Sequence, residues 1–112
     1  MKTNFNELSE FSKEFKRFSK KYKSLYDDLE EFKRIVDVVP LGNSKHFNII
    51  TENKQCSIVK ARLFCRYLKH SSLRMIYAFY SQNCKIEFIE IYFKGEKNNE
   101  NRERIKNYLK DF

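Results

Sequence analysis

Ser57-Ile-Val-Lys-Ala-Arg-Leu-Phe-Cys-Arg-Tyr-Leu68 is the stretch on which the fold turns. Successive side chains leave opposite faces of a strand. Ile58, Lys60, Arg62, Phe64 and Arg66 are therefore expected on one face, and Val59, Ala61, Leu63, Cys65 and Tyr67 on the other. The second set is apolar and belongs against a core, whereas the first is largely cationic and belongs at an open surface. Such a strand needs a sheet with one covered face, and the flanking sequence supplies both the cover and the neighbouring strands.

Upstream, Phe11, Phe15, Phe18 and Tyr22 recur at helical spacing behind Ser9, a candidate N-cap. A second helix is expected from Ser24, with Ser24 and Asp27 at capping-box spacing and Leu25, Leu29, Phe32, Ile35 and Val36 as its apolar stripe. Pro40 stops it, because proline lacks an amide proton and disfavours helix at the residue before. These two helices form a hairpin able to cover the sheet. Thr3 to Leu8 is a weak candidate for an edge strand. His46 to Thr51 is predicted as a strand, followed by a turn at Glu52-Asn53-Lys54. Beyond the central stretch come a turn at His70-Ser71-Ser72, a strand at Leu73 to Tyr80, a turn at Ser81-Gln82-Asn83 and a β-branched, aromatic strand at Cys84 to Lys94. From about Asn98 a terminal helix carries Ile105, Tyr108, Leu109 and Phe112 on one stripe. The order predicts a single α+β domain over residues 1–112. An antiparallel sheet of three to four strands packs on an N-terminal α-hairpin, with a C-terminal helix.

Composition narrows the class. With 11 Phe and 7 Tyr but only 2 Gly and 1 Pro in 112 residues, the chain is too aromatic to be disordered and long enough for one core. No run approaches the roughly 20 apolar residues of a membrane span, and Met1 to Lys23 is too charged for a signal peptide. A cytoplasmic protein with no membrane partner is expected. Cys56, Cys65 and Cys84 show no CxxC spacing, and His46 and His70 stand apart from ligand-spaced partners, so reduced thiols, no metal and no cofactor are expected. The net charge is +8. Lys54, Lys60, Arg62, Arg66, Lys69, Arg74 and Lys85 fall in a stretch without a single Asp or Glu. A concentrated positive field of this kind suits a polyanion such as nucleic acid.

The candidate chemistry sits on that field. Lys60, Arg62 and Arg66 lie on one predicted strand and Arg74 on the next, while Glu90, Tyr92 and Lys94 share a parity on the last. Cations gathered there could hold a scissile phosphate and neutralise its pentacoordinate transition state. A lysine of lowered pKa, or Glu90, could take the proton of a ribose 2′-hydroxyl, giving a 2′,3′-cyclic phosphate without a metal. Tyr67, Phe64 or Tyr92 could stack an unpaired base. The same cations also fit a solvated sheet face or an acidic protein partner, and Glu90 could simply pair with Arg62 or Lys60 across strands. Lys94-Gly95 is no phosphate loop, because the GxxxxGK[ST] pattern is absent.

Four stretches resemble the RelE/ParE toxin family: Phe11-Ser-Lys-Glu-Phe-Lys-Arg-Phe, Ile58-Val-Lys-Ala-Arg-Leu, Ser72-Leu-Arg-Met-Ile-Tyr77 and Ile89-Glu-Ile-Tyr-Phe-Lys94. The resemblance implies a toxin of a type II toxin–antitoxin system, neutralised by a cognate antitoxin. In the RelE-like branch the toxin enters the ribosomal A site and cuts mRNA without a metal, inhibiting translation. Lys60 and Arg62 resemble the basic pair on the family's second strand, and Arg74 the arginine that opens the next. Lys94 and Lys97 fall near the basic residues after the last strand. The chain departs from the family where it has Lys97-Asn-Asn-Glu-Asn-Arg-Glu-Arg104, since RelE-like enzymes often carry Tyr or His there; the general acid and base are left unassigned. Arg66 and the extension from Phe64 to His70 also lie outside the common pattern. The expectation is an endoribonuclease with Lys60, Arg62, Arg74, Lys94 and Glu90 as its catalytic set and Arg66, Tyr67, Tyr92 and Lys97 on RNA. The ParE branch implies a different outcome, a non-enzymatic toxin acting on DNA gyrase, and an inactive RNA- or protein-binding module is the third reading.

Overall fold

A computed structural model describes residues 3–42, 45–69 and 72–110. In chain order these form β1 (Asn4–Glu7), α1 (Ser9–Lys21), α2 (Leu25–Val38), β2 (Phe47–Glu52), β3 (Ser57–Phe64), β4 (Ser72–Tyr80), β5 (Lys85–Phe93) and α3 (Arg102–Lys110). His70 and Ser71 of the predicted turn, and Phe112 of the terminal stripe, lie outside the described residues. The α+β class and the hairpin-on-sheet arrangement are as expected, but the sheet has five strands in the order β1-β5-β4-β3-β2. β1 runs parallel to β5, from Asn4 opposite Lys85 to Glu7 opposite Phe88, so the sheet is mixed. Its partner strand lies at the other end of the sequence, and no local pattern announces the pairing.

The α1–α2 hairpin covers one face. Phe11, Phe18, Leu25 and Phe32 pack there against Val59, Leu63, Met75, Tyr77 and Phe88. The Tyr77 hydroxyl donates to the Pro40 carbonyl at 2.5 Å, tying the end of α2 to the middle of β4. A second, smaller core on the opposite face sets Ile105, with Tyr108 and Leu109, against Ile58, Ile76, Ala78 and Ile89. That face is therefore divided. Under α3 it is apolar, and Ile58 is fully buried; beyond α3 the row continues into Lys60 and Arg62.

β5 serves both cores through a bulge. Ile76 pairs with Glu90 and Tyr77 with Phe88, leaving Ile89 as the extra residue. Phe88 consequently faces the hairpin and Ile89 the α3 side, while Ile91 and Tyr92 divide in the same way. A bulge re-aims the side chains beyond it. Past the end of β1 the edge of β5 is closed by an ion pair. Arg104 donates to both carboxylate oxygens of Glu14 at 3.0 and 2.8 Å and to the Ile89 carbonyl at 2.9 Å, and Glu14 accepts from the Ile91 amide at 3.3 Å. Polar groups on an exposed edge are thus satisfied within the chain rather than left to recruit another strand.

Several local expectations are corrected. Ser9 is the first residue inside α1 and does not cap it; Leu8 holds the cap position. Ser24 stands at the start of α2, but its hydroxyl donates to Asp28 at 2.6 Å and accepts from the Tyr67 amide at 3.1 Å, so it fastens the β3–β4 connection instead of forming a capping box. Ile35, assigned to the apolar stripe, is 49% exposed, and Asp28 is buried in α2 instead. β3 ends at Phe64, short of Leu68. α3 starts at Arg102, where the Asn101 side chain caps it by accepting from the Arg104 amide at 3.0 Å. Phe11→Ala is expected to cost about 3–5 kcal/mol of unfolding free energy, against roughly 0.5 kcal/mol or less for Ile35→Ala. Urea unfolding of the two variants checks the contrast.

Candidate functional site

Cross-strand register assembles the site. Arg62 on β3 lies directly opposite Arg74 on β4, Arg74 opposite Tyr92 on β5, and Asn48 on β2 opposite Lys60. Like charges directly opposed destabilise a sheet, so packing gives no reason for the Arg62–Arg74 pair. These residues line a cleft of about 180 Å³ whose walls are Lys45, His46, Asn48, Lys60, Ala61, Arg62, Arg74 and Lys94. Five of the eight are cations and none is a carboxylate. Arg74 is steered by its neighbour: one guanidinium nitrogen donates to the Ser72 hydroxyl at 2.7 Å and the Ser72 carbonyl at 3.3 Å. Burial first, and the Arg62 charge second, push its pKa below the usual arginine value. It stays cationic regardless, since arginine is not deprotonated in proteins.

The sequence candidates separate into two groups. Lys60, Arg62, Arg74 and Lys94 come together in the cleft, with Lys94 just past the end of β5. The others do not line it. Glu90 is fully buried, its carboxylate accepting from the Lys97 ammonium and, at 2.8 Å, from the Asn101 amide. Lys97 is committed to that ion pair and also sits 5.2 Å from the centre of the Tyr92 ring. Tyr92 is buried, so its ring offers no face for a base. Arg66 follows the strand rather than belonging to it, and its Nε donates to Asp28 on α2 at 3.1 Å. It borders a neighbouring groove that shares only Arg62 with the cationic cleft. Tyr67 is 56% exposed on the loop after β3.

Three participants were missed. Asn48 enters through the β2–β3 register, which a weakly patterned edge strand does not disclose, and Lys45 from the approach to β2. Glu100 is the third, with its side chain 5% exposed, 3.1 Å from Lys60 Nζ and 3.4 Å from Arg102 Nε. It lies within the run where the chain departs from the RelE-like pattern, the one available hint. Burial pulls the Lys60 pKa down, but contacts with Glu100 and Tyr92 outweigh it, and the net shift is upward. The expectation of a lysine with lowered pKa is therefore overturned at Lys60: its ion pair holds it protonated. Burial acts to raise the Glu100 pKa, but hydrogen bonding and the charges of Lys60 and Arg102 prevail and lower it. Phe64, 60% exposed, continues the Lys60–Arg62 row with the His46 ring edge-on at 5.2 Å. Among the described residues no group of three or more His, Cys, Asp or Glu could hold a metal ion.

No protein-family model matches this chain, and no curated protein matches it. Among solved structures it is similar to a chain of the archaeal RelE–RelB complex from Pyrococcus horikoshii OT3, at 18% identity and a TM-score of 0.64, over 85% of this chain and 98% of that one. The fold is that of this chain of the RelE–RelB complex.

The Glu100 shift has a stability consequence. A carboxylate whose pKa is depressed on folding stabilises the native state above its unfolded pKa, and that contribution is lost as pH falls through the folded value. Wild type should thus exceed Glu100→Gln in stability by a constant margin between about pH 5 and 8, shrinking progressively below the ordinary value of 4.5. Chemical denaturation across pH measures the margin.

Proposed function

We propose that this chain is the toxin of a type II toxin–antitoxin pair and a metal-independent endoribonuclease that cuts mRNA at the ribosome. The carrying observation is the carboxylate-free cleft, where Arg62 and Arg74 stand opposed beside Lys45, Lys60 and Lys94. An anion between the two arginines relieves their repulsion, and a phosphodiester offers charge and acceptor oxygens of the right spacing for bidentate donors. The likeness in fold to a chain of a RelE–RelB complex supports an antitoxin as partner. Fold by itself does not carry an activity, so the reading rests on the cleft. Among the described residues no helix is long and apolar enough to cross a membrane, and we place the protein's action in the cytoplasm, on translated mRNA.

In this reading Arg62 and Arg74 clasp the scissile phosphate while Lys60 adds a fixed charge against the pentacoordinate transition state. The ribose 2′-oxygen attacks phosphorus, the bond to the 5′-oxygen breaks, and a 2′,3′-cyclic phosphate results. The 2′-hydroxyl proton passes to water, and Lys94 donates a proton to the departing 5′-oxygen and regains one from solvent. Glu90, buried against Lys97, orders the approach to α3 rather than touching RNA. Phe64 rather than Tyr92 supplies the aromatic face for an unpaired base.

Purified protein added to a translation extract should stop elongation and leave new mRNA 5′ ends at the A-site codon. Arg62→Ala and Arg74→Ala should each slow cleavage by about 100-fold with the fold intact. Phe64→Ala should weaken RNA binding by roughly tenfold. Intact mRNA in an arrested extract, or inhibition of gyrase supercoiling instead, would overturn the proposal.

A further inference from the structure

Glu100 is a buried carboxylate that no step above uses, at a spacing from Lys60 Nζ that a substrate phosphate oxygen would also take. Its side chain is 5% exposed and lies 3.1 Å from Lys60 and 3.4 Å from Arg102. Lys60 also lines the cleft, so one cation has two possible anionic partners: a tethered one from the segment before α3 and a diffusible one from solution. Beside it, the buried Tyr92 hydroxyl makes no hydrogen bond of full geometry, although Lys60 is near enough to interact with it and the Arg74 charge also acts on it. A buried hydroxyl whose proton has no well-formed acceptor is costly, and its place beside Lys60 marks a position where an acceptor from outside would be favoured.

We propose that Glu100 is a positioning residue for the RNA site: a built-in competitor that holds Lys60 until a backbone phosphate displaces it. The incoming phosphate then takes hydrogen bonds from Lys60 and from the Tyr92 hydroxyl, and Glu100 is left to Arg102. This rests on the reading of the cleft as an RNA site. The physical consequence is that Glu100 lowers affinity for RNA, by occupying a cation that would otherwise count among the phosphate contacts. A carboxylate held this strongly by two cations is a poor proton acceptor, so general-base catalysis is not its role.

The test is binding of a 2′-O-methyl RNA oligonucleotide, which cannot be cleaved, measured by fluorescence anisotropy over a range of salt. Glu100→Gln should bind roughly threefold to tenfold tighter at low salt, and the plot of log affinity against log salt should steepen by about 0.7, the value of one added contact on a single strand. In the Lys60→Met background the same Glu100→Gln change should have no effect. In wild-type protein, the Glu100 carboxyl carbon resonance should shift as RNA saturates the site, a readout independent of how the variants fold. An unmoved resonance, or a gain in Glu100→Gln that persists without Lys60, overturns the proposal. If the Arg62→Gln, Arg74→Gln double variant abolishes binding while Glu100→Gln is neutral, Glu100 has no such role and the RNA reading stands. If wild type binds no better than that double variant, the RNA reading itself fails.

Discussion

One extra residue in β5 sets the terms for the rest of the molecule. Before the bulge, Ile86 and Phe88 face the helical hairpin; after it Ile91 does, and Tyr92 has crossed to the side of α3. Strict alternation would have sent Tyr92 into the hairpin core with Phe88, and α3 would have found no aromatic floor beside Ile89. Because the bulge falls opposite Ile76 and Tyr77, the rephasing occurs at the middle of the sheet. The half of the second face under α3 and the half that carries Arg74 and Lys60 therefore meet along a continuous surface.

Charge is distributed by the same division. Each carboxylate in the interior is answered by a cation or amide: Asp28 by Arg66, Glu90 by Lys97 and the Asn101 amide, Glu100 by Lys60 and Arg102. Buried charges persist only when so matched, because removing an ion from water costs several kcal/mol. Arg62 and Arg74 stand apart from that matching. They are held opposite each other by backbone register, and the nearest fixed acceptors to Arg74 are neutral oxygens of Ser72. A fold that neutralises its buried acids yet sets this pair in a cleft whose lining has no carboxylate concentrates positive field at one small opening.

At 18% identity to a chain of the archaeal complex, the shared fold is carried by pattern rather than by particular residues. Aromatic stripes at helical spacing, a strand that is apolar on one side, and turn residues at the correct intervals select the hairpin and the antiparallel strands, though not the pairing of β1 with β5. The segment between β5 and α3 is the most heavily paired connection among the described residues of this chain. It is acidic and basic by turns, and its Glu90 and Glu100 contacts make it part of the sheet's second face rather than a free connection.

The amino-acid sequence determined the hairpin, the central alternating strand and the grouping of Lys60, Arg62 and Arg74, because each depends on spacing within a dozen or so residues or on two strands joined by a short turn. It also marked the acid-free stretch that becomes the cleft. The parallel pairing of β1 with β5, the entry of Lys45 and Asn48, the diversion of Arg66 to Asp28 and the burial of Glu90, Tyr92 and Glu100 were decided by tertiary structure alone. They arise from contacts between residues far apart in the chain, and from a bulge whose position depends on which partner strand it must fit. A local period cannot encode either, since the free energy that selects them appears only when both faces of the sheet are covered.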